Sequence, residues 1–202
     1  MKRWPIWTIL LACALAGCVK TRTLRYYTLS IPPVAAPPQA QAPLPVTIIV
    51  GRLNAPHLLR DDRVVYAMND VELGVDEYHR WSEPPPMMIE RLLVERLRGA
   101  GKYKVVQHLS STTRGDYILR GHLGALNEVD DPSGVKARFT LQLELFDVKA
   151  GNVVWSDRYT DDQPVPEKSV RSVVQTLQKS VNTGLDQLTG SLAEYFAAHP
   201  PR

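Results

Sequence analysis

Cysteine is nearly absent: two occur in 202 residues. That count excludes zinc-binding cysteine clusters and multi-bridge disulfide frameworks. A surplus of one charge is absent as well. There are 24 Lys and Arg against 21 Asp and Glu, and the excess of +3 includes Lys2 and Arg3 at the N-terminus. The rest of the chain is nearly neutral, which argues against a protein that tracks phosphate backbones, so no nucleic-acid partner is expected. Familiar chemical signatures are missing too. No P-loop, dinucleotide-binding glycine fingerprint or Gly-x-Ser-x-Gly elbow occurs. The histidines are His57, His79, His108, His122 and His199. None has a His or Cys partner at ligand spacing, so neither a metal nor a cofactor is expected. After residue 18 no apolar run reaches the length of a bilayer span. There is no internal repeat.

What is present begins with an address. Residues 1–17 hold two positive charges, then an apolar stretch, then small residues. This is the layout of a secretory signal. It ends in Leu15-Ala16-Gly17-Cys18, which resembles the bacterial lipobox. Small residues at Ala16 and Gly17 let a peptidase take the backbone in close, and the Cys18 thiolate is the nucleophile that accepts the lipid. Lipidation at Cys18 is therefore expected, and Cys13 leaves with the signal. Acyl chains hold firmly, at about 0.8 kcal/mol per buried CH₂. Val19 stands where an Asp favours inner-membrane retention in Gram-negative lipoproteins, which points to the outer membrane.

The mature chain reads as an acylated tether over residues 18–23 and a single domain over 24–198. Leu24 to Leu29 is a short strand. Ile31 to Pro45 carries six prolines in fifteen residues and makes an extended loop or spacer. The spacing then predicts strands at Val46–Gly51, Arg63–Met68 and Val71–Tyr78, the last two joined by a turn at Asn69-Asp70. Leu53 to Asp62 reads as irregular. Pro84-Pro85-Pro86 opens a helix whose apolar side is Ile89, Leu92, Leu93 and Leu97, stopped by Gly99 and Gly101. Strands follow at Tyr103–Val106, Asp116–Leu123, Val135–Val148 and Asn152–Thr160. Pro166 to Phe196 is one amphipathic helix with a stripe from Val170 to Leu192. Gly184 is its weak point. The order implies an α/β fold, an α+β sandwich: a mixed, largely antiparallel sheet packed by two main helices. An isolated first strand is unstable, so Tyr26–Leu29 is expected to pair into the body's sheet.

Two acidic groups could serve a hydrolase or hold a cation: Asp130-Asp131 in a turn, and Asp157, Asp161 and Asp162 after a strand. Their Pro, Ser and Gly neighbours favour loop solvation. The segment Glu77-Tyr78-His79-Arg80-Trp81-Ser82-Glu83-Pro84 is unusual. Trp81 fits a packing anchor before a helix. Arg80 and Glu83 are poor core residues unless paired. Tyr78, Arg80, Trp81 and Glu83 are thus the candidate partner-binding residues, with Trp81 turned inward and the others presented outward.

Taken in order, the motifs resemble the ABC-type transport auxiliary lipoproteins. They are Cys18, Tyr26-Tyr27-Thr28-Leu29, Val50-Gly51, Asp62-Arg63-Val64-Val65-Tyr66, Arg80-Trp81-Ser82-Glu83-Pro84 and Asp116-Tyr117-Ile118-Leu119. Val64 departs from the proline common in that family. The resemblance implies a fold similar to the N-terminal domain of TolB. It also implies a non-enzymatic lipoprotein, anchored to the outer membrane on its periplasmic face. Its implied partners are an MCE-type protein and an ABC permease and ATPase system that moves lipids or other hydrophobic molecules. Contact with another copy of the chain is a further partner expectation. The alternative is a structural or assembly lipoprotein supporting another outer-membrane complex.

Overall fold

The computed structural model describes residues 22–32, 42–69, 71–109, 114–132 and 134–201. The signal, the lipobox with Cys18, most of the Pro-rich segment and Asp70 lie outside them. Eight strands form one mixed sheet: β1 Arg25–Tyr27, β2 Leu44–Asn54, β3 Arg63–Ala67, β4 Leu73–Trp81, β5 Tyr103–His108, β6 Tyr117–Asp131, β7 Gly134–Asp147 and β8 Asn152–Pro164. The helices are α1, Pro85–Gly99, and α2, Val170–Ala198.

The organising element is β6. Its fifteen residues are long enough to take two strands end to end along one side. Residues 117–122 pair with β2 and residues 127–129 pair with β3, both parallel. Along its other side runs β7, antiparallel, and β8 follows antiparallel to β7. These long ladders give the sheet its largely antiparallel character, while the parallel pairings are short. Alternation in β7 separates the faces. Phe139, Leu141, Leu143 and Leu145 are buried, and Gln142 and Glu144 look outward.

Both helices close the apolar face. In α1 the buried residues include Met88, Ile89, Leu92, Leu93 and Leu97, and the helix packs on β2 and β5. In α2 the stripe Val173, Val174, Leu177, Val181, Leu185, Leu188 and Leu192 is buried over β7 and β8. The α2 helix starts at Val170 rather than Pro166, because Ser169 is its N-cap and accepts a hydrogen bond from Ser172 N–H at 3.2 Å.

Several sequence expectations are corrected. Strand β2 begins at Leu44 and takes in Pro45, at the start of a strand where a missing N–H is tolerated. The stretch read as irregular holds the end of β2 and a 3₁₀ turn at His57–Arg60. Strand β4 runs on to Trp81 past a register shift between Val75 and Arg80, so Tyr78–Trp81 is strand and not a helix approach. Gly99 lies inside α1, and Gly101, at φ 62°, turns the chain away.

Gly184 is not a weak point but a place of close approach. A Cβ there would lie 2.5 Å from Tyr159 Cδ1 and 2.9 Å from Phe139 Cε1. Phe139 is fully buried and has no room to yield. Alanine would gain about 1 kcal/mol of helix propensity but cost about 1–3 kcal/mol in overpacking. Gly184→Ala is expected to lower the melting temperature. A higher one would show that helix propensity outweighs the clash.

Candidate partner-binding surface

Three motifs far apart in sequence meet at one corner. Strand β1 lies parallel to the end of β4, with Tyr26 level with Arg80 and Tyr27 with Trp81. Ser82 N–H donates to Tyr27 O at 2.7 Å, and Trp81 N–H donates to Asp62 O at 2.6 Å. Asp62 also takes the side chain of Arg80, whose Nη1 is 2.6 Å from its Oδ1. Next to it Arg63 donates to Asp61 through Nε and Nη2 at 3.1 and 2.7 Å. From α1, Arg91 reaches Glu83 at 3.1 Å and Leu29 O at 3.4 Å.

Burial sorts the candidate residues. Trp81 is 1% exposed and belongs to the core. Tyr78 and Arg80 are half-buried. The Arg22 guanidinium lies over the Tyr78 ring, 5.2 Å from its centre. Arg80 and Glu83 are thus not loose charges: each is held by an opposite charge within the chain. Exposed ion pairs of this kind contribute little to stability, about 0–1 kcal/mol, but they fix where charge is presented.

Beside these pairs is a shallow depression of about 500 Å³ lined by His57, Arg60, Asp61, Asp62, Ser82, Glu83 and Pro84. Hydrogen bonds from Arg63, then from Asp62, hold the Asp61 carboxyl at about 2, against an ordinary 3.8. A depressed carboxyl contributes its stabilisation above the ordinary value and loses it as pH falls toward 2. At neutral pH Asp61 is therefore charged. The helix start beside it is spent. Pro84, Pro85 and Pro86 carry no N–H, and the Met87 N–H donates to Pro84 O at 2.9 Å. A helix N-terminus ordinarily offers unpaired donors to an anion, and here the prolines have removed them. His57, Arg60 and Asp61 were not singled out from the sequence. Their signal was proximity to Asp62-Arg63, which only the fold ties to Arg80.

The acidic groups are elsewhere and are taken up. Asp157, Asp161 and Asp162 lie within β8, not after it, and Asp130-Asp131 end β6 rather than forming a turn. Asp161 accepts from Ser180 Oγ at 2.6 Å, and Asp162 pairs with Arg138 at 2.7 Å. Asp130 pairs with Lys168 at 2.7 Å and Asp131 with Lys136 at 2.8 Å. Among the described residues no three His, Cys, Asp or Glu side chains are placed to hold a metal ion, and no helix is long and apolar enough to cross a membrane.

A family model described as the ABC-type transport auxiliary lipoprotein component matches residues 27–189. That range takes in the sheet from β2 onward and most of α2. No curated protein matches the chain significantly in sequence. Among solved structures, the fold is similar to that of protein XCC0632 from Xanthomonas campestris, of the DUF330 family. The two share 18% identity at a TM-score of 0.74, over 86% of this chain and 98% of that one. An uncharacterized protein matches at 15% identity and a TM-score of 0.64, over 84% and 99%. The hypothetical protein CT253 from Chlamydia trachomatis matches at 8% and 0.51, over 77% and 99%. At such identities the likeness is one of fold.

Proposed function

The chain belongs to the family of ABC-type transport auxiliary lipoprotein components, and from that premise we propose that it is a non-enzymatic component of an ABC and MCE-type system. In this reading it is held by acylated Cys18 at the periplasmic face of the outer membrane, where the system moves lipids or other hydrophobic molecules. The corner formed by Tyr27, Asp62, Arg80, Ser82 and Glu83 is the contact for a partner subunit. The observation that carries this is the convergence of the family-like motifs on that corner, rather than on a cavity with reactive groups. Tyr and Arg are enriched at interface centres, and Tyr27 and Arg80 reach the surface at this corner.

The experiment is co-purification from the native envelope. The wild-type chain is expected to bring down the MCE-type protein together with the permease and ATPase. Arg80→Ala should weaken that recovery while shifting the melting temperature little, since its pair with Asp62 is partly solvent-exposed. Undiminished recovery would place the contact elsewhere, and no recovery by the wild type would refute the assignment. Fatty-acid labelling tests the anchor in the same cells: label should be present in the wild type and absent from Cys18→Ala.

A further inference from the structure

The β3–β4 hairpin ends in apolar side chains that the fold leaves in water. Met68 is 47% exposed, Leu73 56% and Val71 92%. The turn is held in this shape. Asn69 Oδ1 accepts from the N–H groups of Val71 and Glu72 at 2.9 and 2.8 Å, and Met68 N–H donates to Glu72 O at 3.0 Å. On and just before the neighbouring edge strand, Tyr26 and Leu24 are 62% and 46% exposed, and Arg22 and Arg25 are exposed beside them. A grouped apolar surface of this kind marks contact with a protein or a membrane.

Chain direction decides between them. Because β1 is parallel to β4, with Arg25 level with His79, stepping back from Arg25 toward Arg22 moves along β4 toward Leu73 and the hairpin tip. From Arg80 to Leu73, β4 advances by the four steps of β3 from Arg63 to Ala67, about 14 Å, so from Tyr78, where Arg22 sits, the tip begins within that distance. Cys18 is four residues before Arg22. Four residues span at most about 14 Å. The fourteen residues of β7 span about 45 Å. Continued in the direction that β1 sets, those four residues bring a lipid on Cys18 to the end of the sheet that carries this hairpin, and they are too short to reach the opposite end. Ala67 is level with Val129 near the end of β6, so the tip emerges where β6 hands over to β7. The β7–β8 turn at Ala150 is at the opposite end.

We propose that the hairpin tip, with Arg22 and Leu24 on the side toward it, seats in the headgroup region of the membrane that holds Cys18. This rests on the anchor assigned above. The make-up suits the interface rather than the hydrocarbon core. Met68, Val71 and Leu73 offer a small apolar edge, Arg22 can meet a lipid phosphate, and the exposed Glu72 carboxylate keeps the contact shallow. The acyl chains supply affinity and the tip supplies orientation. Held at two points, the domain stands with the C-terminal end of α2 and the β7–β8 turn away from the membrane.

The test uses the full acylated protein in vesicles of phosphatidylethanolamine and phosphatidylglycerol. Val71→Cys carries an environment-sensitive fluorophore, and Ala150→Cys is the far-end reference. Both positions are exposed, so neither substitution threatens folding. With nitroxide-bearing lipids, the label at 71 should be blue-shifted and lose most of its emission, and the label at 150 should do neither. Protein that floats with vesicles while the label at 71 stays water-like overturns the inference and leaves the anchor standing. A label at 71 shielded from water yet unquenched by lipid means that a second copy covers the tip, which also overturns it. Failure of the wild-type protein to float removes the anchor and this inference together.

Discussion

Leu177→Asp is expected to abolish the folded domain at ordinary temperatures. Leu177 is 0% exposed in the middle of the α2 stripe, with Val173, Val174 and Val181 buried around it. An alanine there would cost about 2–5 kcal/mol through lost transfer energy and a cavity. Aspartate adds to this a carboxylate with no partner, which must remain charged at a large desolvation cost or take up a proton. Total stabilities of about 5–15 kcal/mol leave little after such a loss. Lys179→Asp, two residues on and exposed, is the control and should melt like the wild type. Loss of the cooperative thermal transition in the first and its retention in the second is the expected pair. An unchanged transition in Leu177→Asp would mean that the stripe faces a partner and not the sheet.

What was legible in the sequence was periodicity, and what was not was long-range pairing. The alternation of β7 and the stripe of α2 are local patterns, and both fall where the spacing places them. The first strand was expected to join the sheet, and β1 pairs with β4. Strand ends were less visible. Strand β6 runs on to Asp131 past Gly121 and Gly124, residues that ordinarily weaken a strand. At Gly121 a Cβ would collide with the Gln142 carbonyl, and the ladder shifts register between Leu123 and Ala125, so β7 comes close where side chains are missing. Gly184 has the same explanation: a helix interior tolerates glycine where Phe139 and Tyr159 occupy the space. The candidate site divides in the same way. That Trp81 turns inward follows from its size and position, but that Arg80 is answered by Asp62 does not. Those residues are eighteen apart, and only the β3–β4 pairing brings them together.

That division sets the second large effect. Trp81→Ala should cost about 3–5 kcal/mol, the range for removing a buried aromatic side chain. Trp81 is 1% exposed, ends β4, and stands level with Tyr27 of the edge strand β1. The loss would spread further than the cavity. Strand β1 has three residues, and its neighbour in the sheet is β4. A three-residue strand is not stable alone, so disturbing the end of β4 should loosen β1 as well. Trp81→Phe, which keeps an aromatic ring in the core, should recover much of the stability. Arg80→Ala should shift it by no more than about 1 kcal/mol, because the pair with Asp62 is screened by solvent. Hydrogen exchange at the Ser82 amide, bonded to Tyr27 O, reports the corner directly. It should quicken in Trp81→Ala and stay slow in Arg80→Ala. A Trp81→Ala protein that melts with the wild type and keeps that amide protected would mean that the corner is held by its backbone pairing and its ion pairs, not by the ring beneath them.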